Sequence, residues 1–390
     1  MASAVVGVLD VGGLVALLDL LRGDGWTMIG PTVQDGVIAQ AEIQSLDELP
    51  RGVGDEQDGA HYRLRDRDDA ALFGYVVGPQ SWKSVLFPAH ELLRRVRPGT
   101  EPSPDAEGDP ERRRLALFGV RSCDLHAIAV HDRVLTDRAH VDPHYAARRE
   151  QTLIVAVSCS DPAGTCFCSS MGTGPDPEEG FDLALTELLD DRGQRFVVRT
   201  GTARGTALWE RLPGLPANET DLAGAAVVVD TAVSRMGRQL DTEGIRELLY
   251  ANPDHPQWED VASRCLACSN CTLVCPTCFC TSVEDRTDLA DGSSERWRVW
   301  DSCFTSEFSH LHGGSVRPTT RARYRQWATH KLASWWDQFG SSGCVGCGRC
   351  IAWCPAAIDI TAEVAAIRAT SAPSLVASGT PGEGSDAYHR

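Results

Sequence analysis

The apolar positions fall into two kinds of run. Near the N-terminus Leu14, Leu17, Leu18 and Leu21 recur at helical spacing and predict an amphipathic helix against a core. Short unbroken runs at 115–120, 153–157 and 225–229 predict strands buried on both faces. Segments 182–189 and 237–250 read as helices between them, and the Pro- and Asp-rich stretches near 98–110 and 172–179 as loops. Residues 1–250 therefore predict an α/β domain. After about residue 255 the character changes. Seven of the ten Trp lie there, and 321–339 carries a helical pattern. From residue 370 the chain is small, polar and rich in Gly, Pro and Ser, which predicts a disordered tail over 370–390.

Composition narrows the class. A hydrophobic fraction of 42% and a charged fraction of 23% are ordinary for a globular chain of 390 residues with two or three domains. A net charge of -17 argues against nucleic acid and against anionic membrane surfaces as partners. The apolar N-terminus lacks a basic leader and contains Asp10 and Asp19, so it reads as neither signal peptide nor membrane span. Fifteen Cys in clustered spacings then predict a reducing, cytoplasmic setting and metal rather than disulfides.

Two copies of one motif carry the chemistry. Cys265-x2-Cys268-x2-Cys271-x3-Cys275-Pro276 and Cys344-x2-Cys347-x2-Cys350-x3-Cys354-Pro355 are both the C-x2-C-x2-C-x3-C-P run of two-cluster ferredoxins. Three thiolates on one tight turn can hold three irons of a cubane, and the fourth faces away toward the other cluster. This assigns Cys265, Cys268, Cys271 and Cys354 to one 4Fe–4S cluster and Cys344, Cys347, Cys350 and Cys275 to a second. Zinc sites usually take their cysteines as pairs instead. The long segment between the motifs predicts an all-α two-cluster ferredoxin domain over 251–369, rather than the small βαβ type, similar to the cluster domains of fumarate reductase and heterodisulfide reductase. Bulky aromatics around clusters would exclude water and tune potential, although core packing explains any single Trp equally simply.

Cys123 and Cys159 each follow a predicted strand, at the edge where α/β folds gather ligands, and Cys166 and Cys168 follow closely. These four could meet and hold a third 4Fe–4S cluster; buried inert thiols are the alternative. Thr165-Cys166-Phe167-Cys168 recurs as Thr277-Cys278-Phe279-Cys280. With Cys303 this second copy is one Cys short of a ligand set that Asp301, His255, His310 or His312 could complete. Structural thiols beside the first clusters are the preferred reading.

Other motifs add little. Residues 169–175 bear glycines but match no G-x-G-x-x-G or phosphate loop, so no flavin or nicotinamide is expected on this chain. Arg317, Arg321, Arg323, Arg325 and Lys331 form a basic patch that could offset reduced clusters, dock an acidic partner, or simply be a solvated helix face. His126 and Asp124 beside Cys123 could tune a cluster or be satisfied core groups. No catalytic triad or carboxylate pair stands out.

Longer segments carry a resemblance. Gly78-Pro79-Gln80-Ser81-Trp82-Lys83, Phe118-Gly119-Val120-Arg121-Ser122-Cys123-Asp124, Asp142-Pro143-His144-Tyr145, Thr165-Cys166-Phe167-Cys168, Cys275-Pro276-Thr277-Cys278-Phe279-Cys280 and Trp300-Asp301-Ser302-Cys303 are similar to the beta subunit of soluble NAD(P)-linked nickel-iron hydrogenases of the sulfhydrogenase type. The electron-transfer subunit of anaerobic sulfite reductase is similar too. The resemblance implies a non-catalytic relay. Electrons would pass between the hydrogenase small and large subunits and a flavin/NAD(P)H-binding subunit, with a sirohaem subunit as the terminus in the sulfite reductase. A heterodisulfide-reductase-like thiol/disulfide reductase is the rival of another class, but that family's paired Cys-Cys-Gly segments are absent.

Overall fold

The computed structural model describes residues 5–99, 113–137 and 139–371. The expected tail beyond residue 371 and much of the loop at 98–110 lie outside those residues, while Thr370 ends a helix rather than beginning the tail.

The first half is built on an eight-stranded mixed sheet. Its strand order is Leu215–Pro216, Val6–Asp10, Gly193–Thr200, Leu183–Asp190, Thr152–Val157, Leu115–Val120, Thr27–Gln34, Val37–Glu42. The strands Thr27–Gln34, Leu115–Val120, Thr152–Val157 and Leu183–Asp190 run parallel, and the rest pair antiparallel. The helix Val11–Gly23 buries Leu14, Leu17, Leu18 and Leu21 as expected. It starts at Asp10, whose carboxylate accepts from the Gly13 N–H at 2.7 Å. Those leucines join Phe118, Val155, Val157 and Phe196 in one core, while Trp82, Phe87, Leu117, Ile154 and Tyr145 form another.

Two sequence expectations reverse. Residues 183–190 form a strand, because this stretch sits between two other strands with both faces covered and needs no amphipathic stripe. The run at 225–229 lies within the helix Glu219–Ser234, which Asn218 and Asp221 start with a reciprocal capping box. Val227 in that run is 62% exposed, so apolar continuity there did not signal burial. Of 237–250, only the part from Ile245 is helical, in Ile245–Ala251.

The second half is helical around the cysteine motifs, but the expectation of an all-α domain fails between them. Strands Thr281–Thr287 and Ser294–Trp300 form a hairpin, and the second pairs with His90–Val96 from the first half. Trp297 and Val299 alternate along that strand with Arg296 and Arg298 at period 2, and Trp300 ends it on the other face. The stretch 321–339 is helical as expected, with one wide turn at His330–Ser334. Its Tyr324, Trp327, Ala328 and Leu332 pack with Trp258, Phe304, Ile351 and Ile360. Phe167, Leu240 and Leu249 enter the same core, so the two halves share packing rather than meeting at a linker.

Buried ion pairs cross this seam, and among the described residues Arg349–Asp124 is the most shielded of them. Arg349, between Cys347 and Cys350, donates to both carboxylate oxygens of Asp124 at 3.0 and 3.2 Å and to the Gly78 carbonyl at 3.1 Å. Both side chains are almost fully shielded, at 0% and 2% exposure. Removing one member of such a pair strands a buried charge. Arg349→Met should lower unfolding stability by about 3–5 kcal/mol in denaturant titration, and adding Asp124→Leu should recover most of the loss.

Candidate metal centres

The two cysteine motifs fold into matching loops. In the first, Ala267 and Ser269 take left-handed conformations (φ 49° and 67°) ahead of the short helix Asn270–Leu273. In the second, Gly346 and Gly348 stand at the equivalent positions (φ 64° and 73°) ahead of Arg349–Ala352. Glycine is required in the second loop for contact as well as conformation. A Cβ on Gly346 would lie 2.6 Å from the Phe167 carbonyl oxygen, and one on Gly348 only 2.4 Å from that of Thr165. The Thr165–Cys168 segment is thus pressed against the second loop. The first loop, with Leu266 and Cys268 exposed, carries Ala and Ser instead.

The structure brings the thiols of the two motifs together in two adjoining places. Cys271 lies within electrostatic reach of Cys265, Cys354 and Cys268. These four line a pocket together with Cys350, Phe304, Tyr324 and Trp327. Cys350 similarly neighbours Cys344, Cys347 and Cys275. Those four, with Trp327 and Lys331, line a second cavity. Each motif therefore lends its fourth cysteine to the other's group, and Trp327 shields both.

Cys123 and Cys159 follow the C-terminal ends of adjacent parallel strands, Leu115–Val120 and Thr152–Val157, and so reach the same sheet edge. Cys166 is near Cys168 and Cys159, and Cys123 is near Cys168. Cys123 and Cys168 pack directly with Val345 and Cys347 of the second loop. Buried Arg121 stands beside Cys159 and Cys123, held by the carbonyls of Ser158, Phe73 and Tyr75.

Among the described residues, no three Cys, His, Asp or Glu side chains converge tightly enough for a single ion. The eight thiols of the two motifs instead ring cavities, which suits a multi-atom inorganic core. Burial pushes the thiols of Cys123, Cys166, Cys271 and Cys350 well above their ordinary range. A coordinated metal reverses that preference by deprotonating the thiol outright. Cys275 is the exception. The Cys278 thiol donates to it and the Lys331 ammonium lies 3.1 Å from its sulfur, together holding it well below the ordinary range.

Several expected site residues fall elsewhere. Lys331 is buried rather than part of a surface basic patch, and Arg321 and Arg325 face Asp254. Arg323 spends its guanidinium on the carbonyls of Phe304, Arg317 and Pro318. Asp124 pairs with Arg349, and burial lowers the pKa of half-buried His126. Asp301 bonds Ser282, Thr305 and the Ser302 N–H, His255 contacts Thr370, and His310 and His312 are exposed. Sequence reasoning missed Lys83, Arg121 and Arg349. For Arg349 a signal existed, a charged residue locked between two motif cysteines.

Residues 264–358 match the 4Fe-4S dicluster domain family. Over 319 residues, 80% of this chain and 91% of the relative, the sequence is 36% identical to sulfhydrogenase 2 subunit beta of Pyrococcus furiosus. The chain belongs to the sulfhydrogenase beta-subunit family. No solved structure matches it. The dicluster family covers both motif loops and both thiol-lined cavities of this beta-subunit chain but stops short of the N-terminal thiols. No helix among the described residues is long and apolar enough to cross a membrane.

Lys331 generates a test. A unit charge beside a buried redox group is worth about one to a few kcal/mol at an effective dielectric near 20. Lys331→Met keeps the bulk and removes the cation. A redox titration followed by electron paramagnetic resonance on iron-loaded protein should show a midpoint lowered by tens of millivolts, roughly what that energy implies for a one-electron couple.

Proposed function

We propose that this chain is the iron–sulfur electron-relay subunit of a hydrogenase complex, linking a flavin/NAD(P)H-binding subunit to the hydrogenase small and large subunits. Residues 1–250 form the α/β part and 251–369 the dicluster part of that relay. Cys265, Cys268, Cys271 and Cys354 hold one 4Fe–4S cluster, and Cys344, Cys347, Cys350 and Cys275 a second. Cys123, Cys159, Cys166 and Cys168 hold a third. Each bound cluster supplies one-electron exchange at a potential set by its surroundings.

The observation that carries this reading is the contiguity of the three thiol groups. Cys347 of the second group packs on Cys123 and Cys168 of the third. Cys350 of the second lies within reach of Cys271 of the first. The second group therefore stands next to both of the others, and the first group includes the exposed Cys268. The other side chains hold this array in place and dry. Arg349 and Asp124 clamp the third group to the second, Trp327 lines both of the first two cavities, and Lys331 offsets negative charge beside Cys275.

Neither nucleotide nor flavin fingerprints occur in the sequence, so the nicotinamide chemistry is assigned to a partner. The cytoplasm is the compartment that suits fifteen free thiols. The similarity to a sulfhydrogenase beta subunit supports a nickel-iron terminus over the sirohaem of a sulfite reductase. Metal analysis of the tagged complex, purified anaerobically, should return nickel with abundant iron; sirohaem without nickel would reassign the complex. In that complex Cys268→Ala should reduce NAD(P)H-linked hydrogen turnover to background while dye-linked hydrogenase activity persists. Retention of both activities would refute the relay role.

A further inference from the structure

Hydrogen-bond donors without acceptors are rare in a folded interior, because a buried donor gives up its hydration and needs a partner in return. Two aromatic donors in the core beside the cysteine motifs are in that state. The Tyr324 hydroxyl and the Trp327 indole N–H are out of water and have no hydrogen-bond partner among the described residues. The two residues are only 2% and 4% exposed. Other indoles are satisfied. Trp258, in the same core, donates to the Asn252 carbonyl at 2.8 Å, and Trp300 donates to the Phe87 carbonyl at 2.9 Å.

Both residues line the thiol-bearing cavities. Tyr324 and Trp327 stand three residues apart on the helix Thr320–Thr329 and so share one face of it. Tyr324 lines the first cavity with Cys265, Cys268, Cys271 and Cys354. Trp327 lines the first and the second, as does Cys350. The two ring centroids lie 5.4 Å apart, and Phe304 packs edge-on against each, at 6.4 and 6.1 Å. One turn further on, Lys331 continues the row, with its ammonium 3.1 Å from the Cys275 sulfur. The row thus presents a hydroxyl, an N–H and an ammonium in succession along the two cavities, and of the three only the ammonium already meets a sulfur.

The hydroxyl stays a donor. Burial, then the Glu363 carboxylate, then the thiols of Cys350, Cys271 and Cys265 push its pKa well above the ordinary phenol range, so it keeps its proton. The Glu363 carboxylate is itself taken up by Gln257 and Arg264. An indole N–H can only donate. Sulfur of an iron–sulfur core is an acceptor for both. Its negative charge grows with each electron taken up, so donors to it favour the reduced state.

We propose that the Tyr324 hydroxyl and the Trp327 indole N–H donate hydrogen bonds to cluster sulfur, Tyr324 to the first cluster and Trp327 at the boundary between the first and the second, and so ease their reduction. The inference rests on the assignment of 4Fe–4S clusters to the motif cysteines. Tyr324→Phe removes one oxygen and keeps the ring. In the full chain, purified anaerobically, a redox titration followed by electron paramagnetic resonance should show the first cluster's midpoint lowered. The expected loss is on the order of tenfold in the reduction equilibrium, 59 mV for a one-electron couple. Proton electron–nuclear double resonance on the reduced chain, in water and in deuterium oxide, should show an exchangeable coupling that Tyr324→Phe abolishes. Tryptophan labelled with 15N in the indole ring should add a nitrogen coupling that Trp327→Phe abolishes. A purely structural role would change unfolding stability and leave midpoint and couplings where they are. Midpoint and couplings that both substitutions leave unchanged, on a chain carrying its motif clusters, overturn the inference and leave the relay reading standing. A chain that takes up no 4Fe–4S cluster overturns the relay reading as well. If Trp327→Phe does not fold, the wild-type nitrogen signal decides for the indole, and its absence overturns that donor.

Discussion

The bidentate pair between Arg349 and Asp124 is the constraint on which the arrangement depends. Burying two charges is costly, and it is tolerated here because the guanidinium fork meets both carboxylate oxygens and a third acceptor, the Gly78 carbonyl. What the pair gives is position. Asp124 follows Cys123, and Arg349 sits between Cys347 and Cys350, so one interaction registers two thiol groups from opposite ends of the chain. Gly346 and Gly348 make the fit possible by letting the backbone of Thr165–Cys168 lie against the loop, where any side chain would collide.

Cations stand beside the buried thiols of an acidic chain. The chain carries a net -17, yet Arg121, Arg349, Lys83 and Lys331 are all buried and all stand beside thiols. Other buried cations are answered by carboxylates: Arg148 and Arg298 by Glu91, and Arg195 by Asp221. Among the described residues, Arg121, Lys83 and Lys331, which face sulfur, make no ion pair with a carboxylate, whereas Arg349 does. Thiolate-ligated clusters are anions, and a low-dielectric interior makes cations near them effective in setting how readily they accept a further electron. Surface acidity and interior basicity thus serve separate purposes, solubility outside and charge balance at the sulfur sites inside.

The hairpin between the motifs has a comparable role. As an all-helical insert it would have had no partner in the first half. As a strand pair it adds to His90–Val96 and brings Trp300 over Lys83 and Cys303 to Cys280. Its polar outer face hid this from a helical reading, since short strands with one solvated face carry little hydrophobic signal.

Spacing along the chain alone determined the eight thiols of the two motifs, because C-x2-C-x2-C-x3-C-P is a local geometry that needs only a tight turn to present its sulfurs. The parallel strands Leu115–Val120 and Thr152–Val157, and the cysteines at their ends, were legible for the same reason: the runs are short, continuous and apolar. Where local signals were ambiguous the fold decided. LALTELL at 183–189 suits helix or strand, and only its place between two other strands makes it a strand. The valines at 227–229 suit a strand, and a capping box makes them helix. That Cys123 and Cys168 pack on Cys347, and that Lys83 and Lys331 face sulfur, are contacts across tens to hundreds of residues. No periodicity encodes such contacts, because they arise from packing two halves into shared cores rather than from the order of residues within either.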